Sequence, residues 1–101
     1  MKKYSFYEKC YKVLRKVPKG RVTTYKEIAK SLVSRAYRVV GNAMNKNPYA
    51  PQVPCHRVVN SDGRIGGFFS GQKNKTQMLK KEGVIVKKGR IENFNKLLYR
   101  F

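Results

Sequence analysis

Acidic residues are scarce in this 101-residue sequence, in which 24 lysines and arginines stand against 5 aspartates and glutamates. The formal net charge is +19 at neutral pH. A folded chain with this excess repels itself unless it meets a polyanion, so nucleic acid is the expected partner. A lysine-rich surface kept only for solubility is the alternative, although ordinary surfaces intersperse both signs of charge.

Cysteine, histidine and long apolar runs are also scarce. Two cysteines are too few for a disulfide-rich secreted scaffold, and with a single histidine they fall short of the four ligands of structural zinc. No apolar run approaches the ~18–20 residues of a membrane span, and the first residues lead into charge rather than into a signal-peptide core. These absences predict a cytoplasmic protein with no metal site and no membrane association.

The apolar content, in contrast, is ordinary. Apolar residues make up 41% of the sequence, which is enough for a globular core and too many for a basic tail. The length allows one domain with a modest core, and no linker, repeat or low-complexity segment divides the chain. We therefore expect a single domain over residues 1–101.

Helical periodicity predicts two helices in the first third of the chain. Apolar residues recur at helical spacing from Ser5 to Val17, and the Pro18-Lys19-Gly20 segment ends that helix. Cys10 lies on its apolar face, where a buried thiol is inert. Thr24 and Glu27 have the spacing of a capping box, which predicts a second helix of two to three turns after a short connector.

A third helix is predicted from about Arg35 to Asn45, with Ser34 as its cap. Two helices joined by a tight turn, the second with an arginine- and asparagine-rich face, are typical of a helix-turn-helix. The small residues Gly41 and Ala43 would let another backbone approach closely. The polar face consists of Arg35, Arg38, Asn42, Asn45 and Lys46.

The second half of the chain predicts short strands around one more helix. Three prolines exclude regular structure from residues 48–54. Residues 57–59 and 64–66 then flank a turn at 60–63, which predicts the hairpin wing of a winged helix. A helix over 70–82, a second hairpin over 84–91 and a short final helix complete a mostly α, winged helix-turn-helix fold.

The only histidine directly follows a cysteine, after the proline-rich loop. A thiolate is a strong nucleophile, and an adjacent imidazole or a water relay can generate it from Cys55. A bare Cys-His pair is weak evidence for catalysis, because buried cysteines are common. The rigid loop before the pair and the strand after it favour a site that holds a reactive atom in place.

The hexad Pro-Cys-His-Arg-Val-Val and its spacing to flanking motifs make a more specific pattern. Over residues 5–91 the sequence closely resembles the active-site domain of O6-alkylguanine-DNA alkyltransferases, which are DNA repair methyltransferases. The motifs that carry the resemblance are residues 18–25, 41–48, 54–59, 66–71 and 79–83.

The resemblance implies a role for each matching position in a transfer reaction. Cys55 would take the alkyl group from O6 of guanine, once per molecule and without metal or organic cofactor. His56 would deprotonate Cys55 through a water, and Glu82 would hold the other side of the imidazole. Asn47 would fix the turn of the active-site loop. Tyr25 would meet the phosphate of the extruded nucleotide and donate a proton to the leaving guanine.

The resemblance also implies how DNA is bound. The helix-turn-helix of this family meets the minor groove of double-stranded DNA that contains O6-alkylguanine. Arg38 would enter the base stack and fill the gap left by the flipped base. Arg35 and Asn42 would contact the DNA, and Gly41 and Ala43 would allow the close approach. The protein is expected to act as a monomer.

The pocket positions depart from the usual family pattern. Val58, Phe68, Phe69, Ser70 and Ala50 would line or border the space for the alkyl group. A tyrosine is usual where Phe68 stands, and smaller residues are frequent at Phe69 and Ser70. Ala50 replaces a proline found in some members. Bulky alkyl groups are therefore expected to be handled differently.

Two other functions compete with alkyl transfer. A non-enzymatic alkyltransferase-like sensor would flip the damaged base and recruit other proteins, but such sensors commonly have tryptophan in place of the nucleophile. A winged-helix regulator reading the major groove would explain the charge and the helices, yet it gives no reason for the Pro-Cys-His motif. Cys55 therefore favours transfer.

Overall fold

The computed structural model of the chain describes residues 3–68 and 70–101, with side chains from residue 6 onward. Helices dominate, and the strands have only two residues each. In chain order the elements are α1 (Lys3–Leu14), β1 (Thr23–Thr24), α2 (Tyr25–Ser31), α3 (Tyr37–Asn45), a one-turn 3-10 helix (Cys55–Arg57), β2 (Val58–Val59), α4 (Gln72–Lys81), β3 (Val86–Lys87), β4 (Arg90–Ile91) and α5 (Phe94–Leu97). This order confirms the mostly α fold class.

The first three helices pack around one apolar core. The predicted apolar face of α1 is buried there, and it meets residues of α2 and α3 and the turn around Cys55. Full burial of one such aliphatic side chain contributes about 1.5–3 kcal/mol. The residues that are completely inaccessible in this core are Cys10, Leu14, Ile28, Ala29, Val40, Ala43, Val53 and Val58.

Of the two predicted helix caps, one is present. Thr24 caps α2, because its Oγ1 accepts the Glu27 backbone N–H at 3.0 Å, and such a cap contributes about 1 kcal/mol to a helix. The predicted Ser34 cap of α3 is wrong: Ser34 accepts the Ala36 N–H at 3.0 Å, but α3 begins at Tyr37, two residues after the predicted start, and its N-cap Ala36 has no side-chain cap hydrogen bond.

The predicted pairing of residues 57–59 with residues 64–66 is wrong. β2 pairs in parallel with β1, the segment expected to be a connector, so that Thr23 faces Val58 and Thr24 faces Val59. Residues 60–63 do form the turn, in which the Asn60 N–H reaches the Arg64 carbonyl at 2.9 Å. Both residues of β2 are fully buried, and burial on both faces is typical of parallel pairing.

The second hairpin is confirmed and closes a smaller core. β3 and β4 are antiparallel, and the two residues between them, Lys88 and Gly89, both have positive φ, as a tight hairpin turn requires. Ile91 of this hairpin belongs to a buried cluster with Val22, Val59, Ile65, Leu79 and Val84.

The end of the chain lies alongside β1. The Val22 N–H donates to Leu97 O at 3.1 Å, and the Tyr99 N–H donates to Val22 O at 2.7 Å. The Arg21 guanidinium adds bonds to the carbonyls of Leu97 and Leu98. Among the helices of residues 3–68 and 70–101, none combines the length and the apolar character that crossing a membrane demands.

Candidate active site

The loop that precedes Cys55 is held by one amide side chain. Asn47 Nδ2 donates to Val53 O at 2.8 Å, while its Oδ1 accepts the Tyr49 N–H at 2.9 Å. Hydrogen bonding from Asn47 lowers the pKa of the Cys55 thiol against the larger effect of burial. The amide therefore joins both ends of the proline-rich loop.

Three ionisable side chains meet behind the cysteine. His56 Nε2 lies 3.0 Å from Glu82 Oε2, at the C-terminal end of α4. Arg57 donates to both oxygens of the same carboxylate, at 2.9 Å to Oε1 and 2.6 Å to Oε2, and it donates to Val17 O at 2.8 Å. This two-pronged contact fixes the plane of the Glu82 carboxylate, and hence the orientation of the imidazole.

Burial and hydrogen bonding set the protonation states of this group. Burial lowers the pKa of His56 below 6.5, although the bond to Glu82 opposes the shift. Burial would raise the pKa of Glu82, but the bonds from Arg57 and His56 outweigh it and lower that pKa. Burial raises the pKa of the Cys55 thiol. At neutral pH the site therefore holds a thiol, a neutral imidazole and a carboxylate.

The second ring nitrogen of the histidine is available for proton transfer. His56 Nδ1 is buried, and within the described part of the chain it has no hydrogen-bond partner. Because Glu82 occupies Nε2, a neutral imidazole that donates there keeps Nδ1 as an acceptor. A buried acceptor of this kind is the arrangement expected of a general base.

Tyr25 packs against the same core as Cys55. It is the first residue of α2. Its pKa is raised by burial and, to a smaller extent, by Cys55. The phenol therefore remains protonated near neutral pH and can donate a hydrogen bond.

Cys10 behaves as inert core. It is fully buried on α1, and burial raises its pKa to about 11. Thiolate is the reactive form of cysteine, so this second thiol is poorly suited to nucleophilic attack.

The predicted DNA-contacting residues divide between the two faces of α3. Arg35 precedes the helix, and the side chains of Arg35, Arg38 and Asn42 are exposed. A Cβ added at Gly41 would meet no atom within 4 Å, so this position is open to an approaching backbone. Ala43 corrects the expectation: it is fully buried and its carbonyl accepts the Tyr11 hydroxyl at 2.8 Å, because helical spacing turns it toward the core.

The predicted pocket residues differ in how accessible they are. Val58 is fully buried, Ala50 is half-buried against the core, and Phe68 is half-buried. Ser70 is exposed and accepts a hydrogen bond from Asn74 Nδ2 at 2.7 Å. Phe69 lies outside the described residues.

Two residues of the site were missed at the sequence level. Arg57 was counted only as part of the hexad, although it makes the shortest contact to Glu82. The sequence analysis did not single out Lys75, yet it is completely buried and donates to Val58 O of β2. Arg57 could have been suspected because it directly follows the Cys-His pair. No sequence pattern distinguishes the buried Lys75 from the exposed lysines around it.

Comparison with known proteins agrees with this geometry. Residues 5–84 match the family model described as the 6-O-methylguanine DNA methyltransferase, DNA binding domain. The chain belongs to this family. The match contains every proposed catalytic position, from Tyr25 to Glu82. Thus the family resemblance inferred from the motifs is confirmed.

The relatives in this family are named methylated-DNA–protein-cysteine methyltransferases. The one from Methanosarcina barkeri is 49% identical over 78 residues, which cover 76% of this chain and 49% of the relative. A relative from Saccharolobus islandicus is 45% identical over 86 residues, or 85% of this chain and 56% of the relative. The chain spans about half the length of the curated relatives it matches.

Solved structures show the same fold in two kinds of protein. S. pombe Atl1, in complex with damaged DNA containing O6-carboxymethylguanine, matches with a TM-score of 0.85 at 32% identity, over 100% of both chains. The O6-methylguanine-DNA methyltransferase of Pyrococcus kodakaraensis matches with a TM-score of 0.72 at 48% identity, over 78% of this chain and 46% of its own. The whole length of this chain is therefore found in the first of them.

Proposed function

We propose that this protein repairs DNA by moving the alkyl group of O6-alkylguanine irreversibly onto Cys55. The observation that carries the proposal is the buried His56, which follows the cysteine directly and is fixed by Glu82 with its other ring nitrogen unpartnered. A thiol whose pKa is raised by burial needs such a base before it can attack. The names of the curated relatives agree with this chemistry.

The reaction balances with groups that the chain supplies. The thiol proton of Cys55 passes through a water to His56 Nδ1, and the thiolate attacks the alkyl carbon. The new S–C bond forms as the C–O6 bond breaks, and its electron pair goes to the guanine. Tyr25 donates a proton to the leaving base, so that it departs neutral. The thioether is stable, so each molecule acts once.

DNA binding is proposed to use the exposed face of α3 in the minor groove of duplex DNA. Arg35 and Asn42 would contact the backbone or base edges, and Gly41 would allow the helix to approach closely. Arg38 would fill the stack while the damaged base occupies the pocket. A base inside a duplex cannot reach Cys55, so extrusion must precede transfer. A single copy of the chain carries all these groups.

The deciding experiment is intact mass spectrometry after incubation with a duplex oligonucleotide that contains O6-methylguanine. We expect a gain equal to one methylene group, located on Cys55 by peptide mapping. The unmodified duplex is the control and should leave the mass unchanged. A methyl group on Cys10, or no gain in mass, would refute the proposed reaction.

Lesion sensing without repair is the second candidate. It is favoured by the match to Atl1 over the full length of both chains, in a complex with damaged DNA. Tight binding to the O6-methylguanine duplex with no change in protein mass would establish sensing. The free thiol of Cys55 next to a fixed base favours transfer over sensing.

A further inference from the structure

The turn between α2 and α3 exposes an apolar residue in a strained backbone conformation. Val33 has a φ of 53°, in the left-handed region, and the residue is 95% exposed. Its N–H donates to Lys30 O at 3.0 Å and the Ser34 N–H donates to Ala29 O at 2.9 Å, which is the Schellman cap that glycine usually completes. A β-branched residue is an outlier in this region, and strain of this kind is concentrated at ligand clamps and other functional sites.

An exposed tyrosine stands beside this valine, at the first position of α3. Tyr37 is 45% exposed, and together with Val33 it lines an open cavity of about 340 Å³ at the turn. This volume lies at the lower end of the range for ligand sites, about 300–1,000 Å³. Gly41 follows Tyr37 by four residues and so lies on the same side of α3, where an added Cβ would meet no atom within 4 Å. The tyrosine ring therefore stands at one end of an open stretch of helix surface.

Cations and one hydroxyl group make up the rest of the cavity lining. These residues are Lys26, Lys30, Ser34 and Arg35. Within residues 3–68 and 70–101, no carboxylate forms an ion pair with any of the three cations. Lys26 and Lys30 are four residues apart on α2, so their charges repel each other and an anion between them would relieve the repulsion. A planar ring and an aliphatic side chain among unpaired cations match a nucleotide, which has a flat base, a sugar and phosphates.

We propose that this cavity is a second nucleotide subsite, which binds the DNA next to the extruded alkylguanine. The Tyr37 ring stacks on the base beside the gap that Arg38 fills, where bending of the duplex opens the base step. Val33 packs against the deoxyribose, and the three cations hold the adjacent phosphates. The proposal rests on the proposed function, because it extends the DNA-binding face of α3 to the turn before it.

DNA fits this surface better than a protein partner does. Tyr37 directly precedes Arg38, so the cavity is continuous with the face of α3 that is proposed to meet the minor groove. An apolar protein surface would cover Val33 and Tyr37 but would leave the three cations without counter-ions. A protein partner is therefore kept as one outcome of the test.

Abasic substitution locates the contact. Fluorescence anisotropy measures the Kd of the Cys55→Ser protein, which cannot consume the lesion, for O6-methylguanine duplexes with one tetrahydrofuran abasic nucleotide at successive positions in either strand. We expect Tyr37→Ala to weaken binding of the intact duplex about tenfold, through lost stacking. At one position beside the lesion, loss of the base should weaken binding with Tyr37 present and cost nothing further in Tyr37→Ala. Additive losses at every position would overturn the proposal.

Tyr37→Phe is the matched control for the ring. Phenylalanine retains the aromatic face and lacks only the hydroxyl group, so it should bind the intact duplex with parental affinity and retain the coupling to the abasic position. A loss as large as that of Tyr37→Ala would show that the hydroxyl group makes the contact, and it would overturn the stacking role.

Val33→Gly separates binding from folding, because the two should change in opposite directions. Glycine adopts a positive φ without strain, so the urea midpoint should rise, while loss of the apolar side chain should weaken DNA binding about threefold or more. Ile85→Ala trims another exposed aliphatic side chain, in the loop before β3, and should leave the affinity unchanged.

The outcomes distinguish this proposal from the proposed function. Parental DNA affinity in both Val33→Gly and Tyr37→Ala would refute the subsite and leave the surface to a protein partner. A parent protein that never transfers methyl, while the Cys55→Ser protein shows the coupling between Tyr37 and one abasic position, would refute the proposed function and support the subsite.

Discussion

Substitution of Glu82 by glutamine tests the central cluster of the site. The glutamine amide has the shape of the carboxylate, but it lacks the negative charge to which Arg57 and His56 are hydrogen-bonded. In the parent, Arg57 reaches Glu82 at 2.6 Å and 2.9 Å, and His56 reaches it at 3.0 Å. After the substitution the Arg57 guanidinium, whose side chain is only 14% exposed, keeps its charge without a counter-ion.

The expected loss of stability follows from this burial. Removing one partner of a buried ion pair costs about 3–5 kcal/mol, and the residual exposure of this pair places the estimate near the lower end, at about 3 kcal/mol. Glu92→Gln is the matched control, because Glu92 pairs with Lys87 at 3.2 Å and the lysine is 72% exposed. An exposed pair contributes about 0–1 kcal/mol. Urea unfolding of both variants at pH 7 measures the difference.

The contribution of Glu82 to the free energy of unfolding should change with pH in a defined direction. Because folding lowers the pKa of Glu82 below 4.5, its carboxylate stabilises the native state above that pH, and the stabilisation is lost as the pH falls through the folded pKa. The gap between the parent and Glu82→Gln should therefore be widest near neutral pH. It should narrow below about pH 4.5. A gap that stays constant down to pH 3 would show that the carboxylate charge is not what stabilises the fold.

The same variant should slow methyl transfer more than it weakens DNA binding. Without the carboxylate, His56 is neither oriented nor stabilised when it takes a proton, and general-base help is worth about 10²- to 10⁴-fold. Quenched-flow transfer from an O6-methylguanine duplex gives the rate, and fluorescence anisotropy gives the affinity. A parental rate in a folded Glu82→Gln protein would exclude the relay through His56.

Three other predictions concern the nucleophile, the inserted arginine and the charge. Cys55→Ser should abolish methyl transfer but retain DNA binding, whereas Cys10→Ser should retain transfer. Intact mass measures transfer, and fluorescence anisotropy measures binding. Transfer by the Cys55→Ser variant would show that another residue is the nucleophile. Arg38→Ala should strongly slow transfer from duplex DNA and leave the reaction with free O6-benzylguanine nearly unchanged. The reason is that a base must be unstacked, at a cost of a few kcal/mol, only in DNA. Equal slowing with both substrates would show that Arg38 supports the pocket instead. Affinity for undamaged duplex should fall with salt at a log–log slope of about −4.5 for about five phosphate contacts; a flat dependence would mean that the basic surface does not meet phosphate.

Most of the helices could be predicted because the residues that determine a helix lie close together in the sequence. The apolar spacing of residues 5–17 and the Thr24–Glu27 capping box are contained within a few turns of chain, and both correspond to helices in the structure. Ala43 shows the limit of this reasoning. Its small size suggested a close approach of DNA, but periodicity alone already placed it on the apolar side with Val40, and burial decides between the two.

The strands were harder to predict because each has only two residues. No alternation can be read in so short a segment, so β2 was assigned to the nearest possible partner, a hairpin return at residues 64–66. The actual partner, β1, lies more than thirty residues earlier in the chain. Pairing over that distance depends on the core that both strands cover, and the sequence pattern does not contain that information.

The proposed catalytic groups were recognisable as residue types, but their electrostatic support was not. Cys55 and His56 are adjacent, whereas Arg57 and Lys75 become part of the site only when β2 is buried between the 3-10 turn and α4. Buried charges are costly unless geometry and hydrogen bonds satisfy them, and apolar replacements are often more stable. Arg57 donates to both oxygens of Glu82 and to Val17 O, and Lys75 donates to the carbonyls of Val58, Ile65 and Gly67. The partners of each cation come from separate stretches of the chain, so local periodicity could not place either cation beside the proposed catalytic groups.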